Sequence, residues 1–149
     1  MIKKLNHKNQ NLAIKIRNVF QASYAIEAKL LDVEENFPPL KRPLEAYTEA
    51  TTDFYVYLVE EAIAGVIEIK NDREQTHIQS LVVHPDFFRK GIASKLLSHL
   101  FEQSSSNMYT VETGAKNDPA IKLYERHGFT LTKKWMTDVG IEKVAFVKT

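Results

Sequence analysis

Apolar residues recur at helical spacing near the start of the chain. Leu12, Ile16, Val19, Phe20, Ile26 and Leu30, with Ser23 on the same stripe, predict an amphipathic helix from about Asn9 to Leu31. A short strand over residues 1–6 precedes it. Phe37-Pro38-Pro39 stops the helix, because each proline removes a donor and restrains its predecessor. Pro43 then opens a short second helix toward Ala50. The period next changes to two. Phe54, Val56 and Leu58 alternate with Tyr55, Tyr57 and Val59, and a strand from Ala62 to Lys70 follows a tight turn at Glu60-Glu61. Asn71-Asp72 turns again, and His77 to Val83 is a third strand of this group, ended by Pro85.

Beyond it, Ile92, Leu96 and Leu100 beside Ala93, Leu97 and Phe101 form one wide stripe, so Gly91 to Phe101 is expected to be helical. Tyr109 to Thr113 is a strand. The helix after it is punctuated by Asp118 as N-cap, Pro119 at the first helical position and Gly128 just past the end. Two strands close the chain, Thr130–Thr137 and residues 143–147. The order β-αα-βββ-α-β-α-ββ predicts an α/β fold with a mixed central sheet of about seven strands flanked by about four helices.

Composition narrows the function. A chain of 149 residues with 44% apolar and 26% charged residues is expected to form one domain, residues 1–149, with a real core. No apolar run is long enough to span a membrane, and Met1 to Leu5 has none of the character of a signal peptide, so a cytoplasmic protein without membrane contact is expected. The absence of cysteine removes disulfides, thiolate metal sites and cysteine nucleophiles. A net charge of +1 argues against a nucleic-acid partner, and the five histidines form no metal-binding spacing.

The chemistry-bearing segment is Leu81-Val82-Val83-His84-Pro85-Asp86-Phe87-Phe88-Arg89-Lys90-Gly91-Ile92-Ala93-Ser94. A strand runs into a loop, and the loop opens a helix at a glycine followed by small residues. The first N–H groups of a helix lack internal partners and carry the positive end of its dipole, so a phosphate is their natural guest. Arg89, Lys90 and Lys95 add charge there. The five glycines stand too far apart for a Walker loop or a dinucleotide-binding fingerprint.

The loop instead resembles the acyl-CoA pyrophosphate loop of the GNAT acetyltransferases, Gln/Arg-x-x-Gly-x-Gly/Ala, read here as Phe88-Arg89-Lys90-Gly91-Ile92-Ala93. Phe88 departs from the usual Gln or Arg. A second stretch, Asn117-Asp118-Pro119-Ala120-Ile121-Lys122-Leu123-Tyr124-Glu125-Arg126-His127-Gly128-Phe129, is similar to the family's other signature, Asn-x-x-Ala-x-x-Leu-Tyr-x-x-x-Gly-Phe, at every fixed position.

The resemblance implies an acetyl-CoA-dependent N-acetyltransferase acting on a primary amine, small molecule or peptide, by direct transfer. Backbone at Leu81, Val82 and Val83 would pair with pantetheine and the acyl carbonyl. Arg89, Lys90, Gly91, Ile92, Ala93 and Ser94 would hold the pyrophosphate, and Asn117 would touch the cofactor arm. Tyr124 stands where the family's general acid protonates the departing thiolate. The strand before the loop, His77-Ile78-Gln79-Ser80-Leu81-Val82-Val83, lacks the carboxylate that some members use as base. Glu112, twelve residues before Tyr124, has the offset of the base in the branch resembling ribosomal-protein N-terminal acetylases. His77 acting through water is the alternative. No metal is implied, and a homodimer is expected by resemblance alone.

Between Glu27 and Asp53 seven acidic residues face three basic ones, a local charge of −4 on the acceptor side that would attract a cationic amine. Phe37, Tyr47, Tyr55 and Tyr57 are candidate pocket or core aromatics. The competing reading is a non-catalytic acyl-CoA sensor, which would need neither Tyr124 nor Glu112.

Overall fold

In a computed structural model, which describes residues 1–72 and 74–149, the chain folds around one mixed sheet of seven strands. The strands are β1 (Ile2–Leu5), β2 (Asp53–Val59), β3 (Ala62–Asn71), β4 (Gln75–Val83), β5 (Met108–Gly114), β6 (Thr130–Met136) and β7 (Glu142–Lys148). The helices are α1 (Gln10–Leu30), the single turn α2 (Glu45–Thr48), α3 (Ile92–Gln103) and α4 (Asp118–Arg126). Short 3-10 turns at Pro38–Lys41 and Pro85–Phe87 each open on proline, whose fixed φ suits a first helical position. The element order and the mixed sheet agree with the sequence reading.

Strand order is β1-β2-β3-β4-β5-β7-β6, and only the β4–β5 pair is parallel. A parallel pair needs a crossover, and α3 supplies it. Two apolar clusters cover the sheet. On one face α3 and α4 bury Ile92, Leu96, Leu97 and Tyr124 against Ile67, Ile69, Ile78, Val111 and Phe146. On the other, α1 buries Ala13, Ile16, Val19 and Phe20 against Phe54, Val56, Val66 and Val82. Each of these larger side chains removed from water is worth about 1.5–3 kcal/mol.

Helix α1 departs from the expected stripe. Asn9 caps it, accepting from the Leu12 N–H at 3.1 Å, but Ile26 and Leu30 are 42% and 45% exposed. Its inward face runs through Ala13, Ile16, Phe20, Tyr24, Glu27, Ala28 and Leu31. That continues the i+3/i+4 count from Phe20, and it turns a carboxylate inward where the apolar pattern favoured isoleucine.

Helix α4 also corrects the reading. Its N-cap is Asn117, whose Oδ1 accepts from the Ala120 N–H at 3.3 Å, so Asp118 and Pro119 fill the first two helical positions. Gly128 follows the C-cap His127 as expected. Among the described residues no helix is long and apolar enough to cross a membrane.

Candidate functional site

The parallel strands part halfway. β4 and β5 pair from Gln75↔Met108 to Ile78↔Val111 and no further. Beyond that point β4 pairs only with β3, through Ser80, Leu81, Val82 and Val83, while Glu112, Thr113 and Gly114 of β5 pair only with β7. The cause is local. The β3–β4 register shifts between Glu68↔Ser80 and Ile69↔Ile78, leaving Gln79 as an extra residue on β4. A bulge bends and twists its strand, and this one falls where β4 leaves β5. The edge of Leu81 to Val83 that faces β5 is therefore free of sheet partners.

A cavity of about 430 Å³ occupies the gap. Because the sheet is open there, side chains from both of its faces meet. Tyr24 and Glu27 arrive from α1, Tyr124, Asn117 and Ala120 from the α4 side, and Gln79, Ser80, Leu81, Glu112 and Thr113 from the parted strands. Gly114 lets the end of α1 close the cavity. A Cβ there would lie 2.6 Å from Leu31 Cδ2.

Tyr124 is 4% exposed, its ring packed against Phe129 and Phe146. Its hydroxyl has no hydrogen-bond partner among the described residues, and burial, reinforced by Glu27, raises its pKa well above the ordinary value. It is thus held as a neutral phenol with a proton to donate. Asn117 does two jobs at once. While Oδ1 caps α4, Nδ2 donates to Glu27 Oε1 at 2.7 Å and to Thr113 Oγ1 at 3.3 Å, tying both faces together across the gap.

Glu112 lines the same cavity, and Lys143 Nζ donates to its Oε1 at 3.1 Å. His77 does not line the cavity. Its Nδ1 is bonded to Thr110 Oγ1 at 2.7 Å, and burial lowers its pKa. Of the seven acidic residues between 27 and 53, only Glu27 reaches the cavity, while Asp53 pairs with Lys4 at 3.3 Å. Phe37 is the one aromatic of the predicted four in the wall. Tyr47 is fully buried core, Tyr57 sits beside Lys95, and Tyr55 faces a second cavity beyond α3. Sequence reasoning did not single out Glu27 or Tyr24 as site residues. Counting onward from Phe20 at i+4 and i+7 is the signal that finds them.

The phosphate-type loop follows the C-terminal end of β4. Arg89 and Gly91 both take left-handed backbone, φ 63° and 72°, and a Cβ on Gly91 would meet nothing within 4 Å. Gly91 is therefore favoured by its backbone conformation, and the space in front of it is open. The helix begins at Ile92, with Gly91 as a cap that offers no side-chain acceptor, so the first N–H groups of α3 are left for another partner. Phe88, Arg89, Lys90 and Lys95 are exposed around them, while Ile92 is buried against the core and Ser94 Oγ meets His127 Nε2 at 3.1 Å.

Comparison with known proteins agrees with this fold. The sequence profile of the Acetyltransferase (GNAT) family matches residues 16–129. A Bacillus subtilis protein, UPF0157 protein YqkA, is 31% identical over 130 residues, which is 87% of this chain and 38% of that protein. The chain thus spans about two fifths of that relative's length. The ribosomal-protein-S18-alanine N-acetyltransferase of Escherichia coli superposes with a TM-score of 0.77 at 17% identity, covering 99% of this chain and 92% of that one. A GNAT family acetyltransferase from Elizabethkingia anophelis, solved with acetyl-CoA bound, gives 0.58 at 17% identity over 67% and 77% of the two chains.

Proposed function

We propose, from the premise that this chain belongs to the GNAT acetyltransferase family, that it moves an acetyl group from acetyl-CoA directly to a primary amine of a small molecule or peptide. The observation that carries the reading is the parting of β4 and β5 around a cavity into which Tyr124 presents an unpartnered hydroxyl.

The residues fit the cosubstrate. The unpaired edge of β4 at Leu81, Val82 and Val83 would hold the pantetheine arm, as a further strand holds its neighbour. The backbone from Arg89 to Ser94, with the side chains of Arg89 and Lys90, would hold the pyrophosphate. Asn117, fixed by its own hydrogen bonds, would line the arm's path. When bound, acetyl-CoA would supply a thioester whose carbonyl carbon takes the amine and whose sulfur leaves.

The chain's own part is to move protons and exclude water. Glu112 takes a proton from the incoming ammonium, leaving nitrogen's lone pair free to form the new C–N bond. As the C–S bond breaks, Tyr124 gives its proton to the sulfur and regains one from the newly acylated nitrogen. One proton remains on Glu112 and passes to solvent, to which that half-exposed side chain has access. Proton transfers of this kind are worth about 10²–10⁴-fold each.

Release of CoA thiol from acetyl-CoA across polyamines, amino acids, aminoglycosides and short peptides tests the reading. The chain contains no cysteine, so the protein adds no thiol background. Release with one amine class is the expected result. A silent panel with acetyl-CoA binding intact would favour the acyl-CoA sensor.

A further inference from the structure

Of the carboxylates in the cavity wall, Asp138 is exposed to solvent and Glu112 is half-exposed and ion-paired, whereas Glu27 is half-buried with a single donor. Taking a carboxylate out of water costs several kcal/mol unless charge or several donors replace the water. Glu27 Oε1 has one donor, Asn117 Nδ2 at 2.7 Å. Oε2 has no hydrogen-bond partner among the described residues, and none of their cations lies within ion-pair distance of either oxygen. The cation that shares the cavity, Lys143, is bound to Glu112 instead. One side of the cavity wall is apolar, formed by Leu31, Phe37, Pro38, Pro39 and Ile141, with the Tyr24 ring edge-on to Phe37 at 5.8 Å. A half-buried carboxylate in a cavity with one apolar side, with one oxygen fixed and the other without a partner, is complementary to an ammonium group on an apolar body.

We propose that Glu27 is the recognition carboxylate for the acceptor amine, and that the cavity selects primary ammonium ions carrying a compact apolar or aromatic group. The term acceptor rests on the acetyltransferase reading; the ammonium site itself does not. Asn117 is the positioning residue. By holding Oε1 from across the sheet gap it leaves Oε2 without a partner in the cavity that Tyr124 also lines. Glu27 thus governs which amine is held, while Glu112 governs its proton.

The test is calorimetric titration of phenethylammonium into the wild-type protein, Glu27→Gln, Glu27→Asp and, as a control for the general acidic field, Glu34→Gln. Glu27→Gln should weaken binding at least about tenfold, the size expected when one partner of a desolvated charge pair is lost. Glu27→Asp should recover part of the loss, Glu34→Gln should keep wild-type affinity, and uncharged 2-phenylethanol should not distinguish Glu27→Gln from wild type. Equal affinity in wild type and Glu27→Gln, or no binding to wild type, overturns the inference. Acetyl-CoA titration runs alongside. Acetyl-CoA binding without amine discrimination sinks the Glu27 site and leaves acetyl transfer standing. Discrimination at Glu27 without acetyl-CoA binding does the reverse.

Discussion

Two inward-facing glutamates on the α1 side of the sheet show how differently one residue type is used. Glu68, at the centre of β3, is 1% exposed and fully satisfied. Arg42 meets it with both arms, Nη1 to Oε1 at 2.7 Å and Nη2 to Oε2 at 3.0 Å, and Thr52 and Ser80 add donors at 2.6 and 3.0 Å. The guanidinium also lies 4.0 Å above the Tyr47 ring. Glu27 has one donor and an open cavity in front of it. The two sites touch, because Tyr24 of the cavity wall donates to Ser80 Oγ at 3.3 Å, and Ser80 donates on to Glu68. A closed set of partners marks a carboxylate that builds the fold, and an incomplete set marks one that awaits a ligand. Ser80 and Tyr24 stand at the border, fixing the wall of the site from the structural side.

The contrast is broken most severely at Arg42. Arg42→Ala should cost about 3–5 kcal/mol of stability, because it strands a buried charge rather than removing a pair. Urea midpoints read the loss. A change below about 1 kcal/mol would mean that Thr52 and Ser80 satisfy Glu68 unaided, and the distinction between the two sites would narrow.

Tyr124→Phe sharpens the comparison from the other side. The lost hydroxyl has no partner in the fold, so stability should stay within about 0.5 kcal/mol of wild type. Turnover of acetyl-CoA with an accepted amine should fall by about 10²-fold or more, with acetyl-CoA affinity retained. Burial raises the Tyr124 pKa, so the phenol stays protonated across the neutral range, and the loss should not vary with pH there. Unchanged turnover would remove the acid role.

The sequence was readable where local rules act. Period-two alternation located the strands, and both motifs are local, one confined to a loop and the start of α3, the other to α4 and its two ends. The α4 cap was misassigned because Asp118 and Asn117 are both good capping residues, and only the backbone decides which of them stands outside the helix. The acceptor side was harder to read. Its cavity is assembled from α1, the parted strands, α4 and the loop before β7, so no single window contains it. The bulge that opens the strands adds one residue, Gln79, with no turn signal around it. Glu27 lay hidden because its helical phase is set by Ala28 and Leu31, weak markers beside the exposed Ile26 and Leu30.

The smallest effect separates the two glutamates by pH. Burial is the main cause that raises the Glu27 pKa above its ordinary 4.5, with Asn117 and Lys143 opposing it. A carboxyl whose folded pKa lies above its unfolded value favours folding in its protonated form. That contribution is complete below the unfolded value and is lost as pH rises through the folded one. At neutral pH the ionised Glu27 therefore counts against the fold until a cation joins it. Glu27→Gln, which cannot ionise, should match or slightly exceed wild-type melting temperature at neutral pH and lose that advantage as pH falls toward 4.5. The groups around it, Tyr24, Glu112, Tyr124, Asp138 and Lys143, are unchanged in the variant, so the difference between the two curves isolates Glu27. If Glu27→Gln is instead the less stable protein at neutral pH, the Glu27 charge is already compensated within the fold. It would then belong with Glu68, and the half-buried carboxylate of the cavity would not be poised to greet an amine.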